Sequence, residues 1–95
     1  MKCVVVFCHS TLEDDVRQAL EEVGCQHYVG VNRAFVRDGD ERRHDSRYHP
    51  GADVVLLAFV EADSVSKVTE AITHMSAREH AAHTRLAVLP VEQFI

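Results

Sequence analysis

Basic residues are in the minority: ten Lys and Arg stand against fifteen Asp and Glu, a formal net charge of −5. That balance excludes a general nucleic-acid binder, which carries a basic face. No apolar run approaches the ~20 residues of a membrane-spanning helix. The opening "MKCVVVFCHS" has one lysine and too short an apolar stretch for a secretory leader. A cytoplasmic protein is expected. The three cysteines, Cys3, Cys8 and Cys25, are odd in number and form no C-x-x-C pair. They read as reduced thiols rather than a disulfide frame. Aliphatic side chains are almost missing from "RDGDERRHDSRYHPGAD", Arg37 to Asp53, although strongly apolar stretches flank it.

What is present is a packed-core sequence, 46% hydrophobic over 95 residues. That length makes a single domain, residues 1–95. "CVVVFC" (Cys3 to Cys8) predicts a buried strand. Ser10 or Thr11 then caps a helix, with Glu13 and Asp14 complementing its N-terminus. Leu12, Val16, Ala19, Leu20 and Val23 form one apolar stripe, and Gly24 supplies the stop. "YVGVNRAFV" (Tyr28 to Val36) suits a second strand, with Val29, Val31 and Phe35 on one face. "VVLLAFV" (Val54 to Val60) is a third. Asp63 or Ser64 caps a second helix with the stripe Val65, Val68, Ile72 and Met75. "RLAVLPV" (Arg85 to Val91) is the last strand, and Pro90 places it at an edge or ends it there.

The order is β-α-β-β-α-β, a ferredoxin-like α+β fold. It predicts a four-stranded antiparallel sheet with two helices on one face. The first and third strands are apolar at both odd and even positions: Val4 to Phe7, and Val54 to Leu57 with Phe59. Side chains alternate across a strand, so both sheet faces are apolar. Helices bury only one of them. The other calls for a second subunit, because large apolar patches are rare on monomers.

Three stretches then resemble a known family. "MKCVVVFCHSTLEDDVRQALEEVGC" is similar to the opening of the P-II nitrogen-regulatory signalling proteins, with its MK start and its L-x-x-V-x-x-A-L-x-x-x-G helix. "VVLLAFVEADSVSKVTEAI" resembles their third strand and second helix, and "LAVLPVEQFI" their closing strand. The resemblance implies a homotrimer in signal transduction and nitrogen regulation, not an enzyme. It also implies a small-molecule or anion effector bound between subunits. Residues 37–53 occupy the place of the flexible effector loop that contacts a membrane transporter or an enzyme. The candidate contacts in this segment are Arg37, Arg42, Arg43, His44, Arg47, Tyr48 and His49. Guanidinium groups suit an anion.

The sequence departs from the family at "SAREHAAHT", Ser76 to Thr84, which lacks the glycine and lysine of the family's phosphate loop. Weak nucleotide binding is expected, and the sequence names no cofactor. Seven histidines are a high count. His44 and His49 share the charged segment, which raises the alternative of a zinc, copper or nickel sensor on the same trimer. None of the spacings matches a standard zinc signature, and surface histidines without a special role are the simpler reading. Cys3 and Cys8 read as small buried hydrophobes. No nucleophile–base signature is present. The acidic "CHSTLEDD" excludes the anion loop of acylphosphatases, and "VVLLAFVE" lacks the aromatic motif of RNA-recognition modules.

Overall fold

The computed structural model describes residues 1–38, 41–43, 53–76 and 84–95. Its strands are β1 (Lys2–His9), β2 (His27–Ala34), β3 (Val36–Asp38), β4 (Glu41–Arg43), β5 (Asp53–Val60) and β6 (Arg85–Pro90). Its helices are α1 (Glu13–Glu22) and α2 (Val65–Ser76), each entered through a three-residue 3-10 turn. The main sheet has the order β2-β5-β1-β6, antiparallel throughout. β3 and β4 form a separate two-stranded ribbon. Among the described residues, no helix is long and apolar enough to cross a membrane.

Alternation in the strands decides the core. Val4, Val6 and Cys8 on β1 join Val54, Leu56, Ala58 and Val60 on β5, all buried against the helices. The helices answer with Leu12, Val16, Ala19 and Leu20, and with Val68, Ile72 and Met75. Both helical stripes expected from periodicity face inward, with Val23 and Val65 at their margins. The three cysteines are free and buried. β6 is an edge strand and ends at Pro90, as a residue without a backbone donor requires.

Chain reversals are local devices. Gly24 has φ 86, a left-handed conformation that glycine adopts without steric cost. Its N–H donates to Glu21 O at 3.0 Å, and Cys25 N–H donates to Leu20 O at 2.9 Å. This pair of bonds satisfies the last carbonyls of α1. The start of α1 differs from expectation. The 3-10 turn that leads into it is capped by His9, whose Nδ1 accepts the Thr11 N–H at 3.2 Å, while the N-cap of α1 itself is Leu12, without a side-chain bond; neither Ser10 nor Thr11 serves. The 3-10 turn moves the first free N–H groups back by a turn, within reach of the last residue of β1. A similar turn, Ala62–Ser64, precedes α2, so Asp63 and Ser64 lie inside it. Glu61 flanks the turn without a side-chain cap.

The second strand is shorter than Tyr28 to Val36. Its register shifts between Val31 and Ala34, and Arg33 takes the left-handed φ of 57. The irregularity lies within the ladder, since Ala34 still pairs with Asp53 beyond it, and the chain then passes into the ribbon.

Candidate functional site

The odd-numbered residues of the central strands line the face opposite the helices. Cα register sets Val5 beside Leu57 and Phe7 beside Val55, with Val29 and Val31 flanking the same two β5 residues. Val29 and Val31 are 54% and 48% exposed in the protomer. The apolar second face expected from the sequence is therefore present. Its ring contacts lie at one end, where Phe94 meets Phe59 at a centroid distance of 4.9 Å.

At the other end, Phe7, Phe35, Val36, Arg37 and Val55 line a cleft of ≈ 200 Å³. Phe35 lies beyond the register shift, yet it comes to the same side as Val55; it is 88% exposed. Arg37 is exposed and belongs to the ribbon, where its Cα partner is Arg42. Val36 pairs with Arg43, and Asp38 with Glu41. Three of the arginines expected to contact an effector thus fall on the strands of one ribbon, and Arg37 among them lines the cleft. Within segment 37–53, Arg37 and Asp38 pair with Arg42 and Glu41 as antiparallel strand. His44, Arg47, Tyr48 and His49 lie outside the described residues, as does most of Ser76 to Thr84.

The far end of the segment also departs from a solvated connection. Asp53 is the first residue of β5 and is 3% exposed. It is flanked in register by His9 on β1 and Ala34 on β2. The composition of the segment gave no sign of this.

A second cavity, of ≈ 290 Å³, lies at the Phe59 end of β5. Cys25, His27, Phe59, Glu61 and Phe94 are among its lining residues. The Cys25 thiol donates to the carbonyls of His27 (3.4 Å) and Phe59 (3.8 Å). The His27 ring meets Phe94 at 5.2 Å. Sequence periodicity did not mark this site, because Phe94 lies beyond the last strand and reaches Phe59 only through the fold. The histidines that are described serve separate ends: His9 caps, His27 stacks, and His74 stands in the last turn of α2. Among the described residues, no group of three or more His, Cys, Asp or Glu is placed to hold a metal ion.

Electrostatics outside these sites is local. Burial pushes the Cys3 thiol pKa up. The Tyr28 hydroxyl holds the exposed Arg17 guanidinium above its usual value, with Glu13 and Asp14 adding to the effect. Tyr28 Oη also donates to Glu21 Oε1 at 2.9 Å, which ties β2 to α1.

No protein-family model and no curated protein sequence matches the chain. Solved structures do. A DUF3240-family protein from Shewanella baltica OS155 superposes with a TM-score of 0.76 at 13% identity, over 98% of this chain and 91% of that one. CPII, a nitrogen regulatory PII-like protein from Thiomonas intermedia K12 solved with ADP, AMP and bicarbonate, gives 0.74 at 14% identity, covering 93% and 88%. A PII-like signalling protein from Thermus thermophilus gives 0.63 at 16% identity, covering 92% and 80%. At these identities the likeness is one of fold. Two helices on one face of a β2-β5-β1-β6 sheet, the other face apolar and a ribbon leaving the end of β2, make this the ferredoxin-like fold of the PII-like proteins.

Proposed function

We propose that this chain is a PII-like regulatory protein of the cytoplasm that works as a homotrimer and has no catalytic role. It binds a small anionic effector in clefts between subunits. It passes the result to a target, a membrane transporter or an enzyme, through segment 37–53. Three copies packed by their open faces bury Val5, Val29, Val31 and Leu57, which supports the assembly.

The observation that carries the reading is the pairing of Arg37 with Arg42 beside the Phe7–Phe35–Val55 cleft. Two guanidinium-bearing positions in direct register offer an anion planar, bidentate donors. Bicarbonate and adenine nucleotides occupy the PII-like CPII, so they are the first probes. Bicarbonate is favoured over nucleotide here, because Ser76 to Thr84 offers no glycine or lysine to a phosphate.

Calorimetry on the purified chain with bicarbonate, ADP and AMP, alone and in pairs, tests the proposal. Saturable binding of an anion that vanishes in Arg37→Ala/Arg42→Ala supports it. No heat with any of the three, or binding indifferent to both arginines, removes the effector site from the ribbon. Zinc and copper in the same titration examine the metal alternative, which rests on His44 and His49.

A further inference from the structure

The cavity beside Cys25 has one wall unlike the others. Gly24 and Cys25 leave α1 through its C-terminal hydrogen bonds, and Phe59 belongs to a strand paired on both sides. Phe94 belongs to neither helix nor strand. Its ring rests on Phe59 at 4.9 Å and on His27 at 5.2 Å. The described backbone bond of its segment runs from Val91 N–H to Met1 O, at 3.3 Å. Phe94 is 45% exposed and Ile95 fully so. Two ring contacts and one long hydrogen bond offset the entropy of fixing residues 91–95. So few anchors for five residues put the segment at the low-stability end of the molecule.

We propose that Phe94 is a gate on this cavity. With the ring seated on Phe59 and His27, the cavity is closed on that side. With the ring lifted, the cavity opens on that side, and the Cys25 thiol comes within reach of small molecules. The two functions share their anchors: the carbonyls that hold the thiol belong to His27 and Phe59, the same residues on which the ring rests. The gate stands at the opposite end of β5 from the Arg37 cleft, and it does not depend on the effector reading.

Alkylation of the full chain by iodoacetamide, followed separately for each cysteine by peptide mass spectrometry, tests the gate. Phe94→Ala should speed labelling of Cys25 by about ten-fold or more, as expected when a marginal local closure is lost. Phe94→Tyr keeps the ring and should keep the wild-type rate. Cys8 is fully buried in the core and serves as the internal reference. An unchanged Cys25 rate in Phe94→Ala overturns the gate, and so does a parallel rise at Cys8, which reports general loosening. In the wild-type chain, the Val91 amide should exchange hydrogen well before the amides of β1. Equal protection would make Phe94 a fixed wall.

Discussion

Arg37 stands directly opposite Arg42 in the Cα register of the ribbon. An anion bridging the pair would draw on both guanidinium groups. Charge-assisted hydrogen bonds contribute about 1.5–3 kcal/mol each. Arg37→Ala/Arg42→Ala is therefore expected to weaken bicarbonate binding by roughly ten- to a hundred-fold or more. Wild-type affinity should also fall with added salt, because exposed charges are screened. Calorimetry at two ionic strengths measures both effects. A salt-independent affinity would mean that the two arginines do not hold the ligand.

Val6 and Leu57 are apolar residues on neighbouring strands, and their substitution should have opposite outcomes. Val6 is fully buried under the helices. Val6→Asp places an uncompensated charge in the core and should leave the chain unfolded. Leu57 lies on the open face beside Val5 and Val29. Leu57→Asp should keep the circular dichroism of the folded protomer but lose the assembly. Light scattering should read about three chain masses for the wild type and one for this variant. A wild-type monomer would remove the reason for the apolar face, and a dimer would contradict three-fold packing.

Leu20 has no exposed surface and sits between the helices and the sheet. Leu20→Ala should lower unfolding free energy by about 2–5 kcal/mol, read from urea denaturation. Gly24→Ala meets nothing within 4 Å, so any loss there comes from the backbone. A side chain in the left-handed region costs about 1–2 kcal/mol. A Gly24→Ala chain as stable as the wild type would show that the turn relaxes to another conformation.

The thiolate is the reactive form of cysteine, and burial holds the Cys3 thiol protonated to higher pH. Cys3 should be alkylated more slowly in the folded chain than in urea, with the gap narrowing as pH rises. The sign for stability follows from the same shift. A folded pKa above the unfolded one contributes stability that is complete below the unfolded value and is lost as pH climbs through the folded one. Equal rates in the folded and unfolded chain would place Cys3 in contact with solvent.

The fold was legible where apolar residues repeat at helix or strand spacing. Val16, Leu20, Val68 and Ile72 needed no tertiary information to be placed inward. The doubly apolar strands likewise announced the second face. Other features depend on distance in space. His9 became a cap because a 3-10 turn intervened. Asp53 is buried at the start of β5, between His9 and Ala34 in register, which composition does not reveal. Phe94 found Phe59 across the sheet, at 35 positions' remove in sequence (94 − 59). The candidate site was read in part. Arg37, Arg42 and Arg43 are on the ribbon, but strand pairing among so many charged residues has no hydrophobic period to signal it.

The irregularity at Arg33 separates two ladders. The main sheet takes its register from β1, β5 and β6, and the ribbon takes its own from residues 36–43. The junction is a left-handed residue next to a register shift, so an insertion on one side is absorbed before it reaches the other. The two parts can therefore change at different rates over evolutionary time. The sheet is constrained by its packing against the helices, and the ribbon by whatever it meets. Among proteins built on this plan, the length and charge of the ribbon should diverge while the β5 pattern Val-Val-Leu-Leu-Ala-Phe-Val stays apolar at every position.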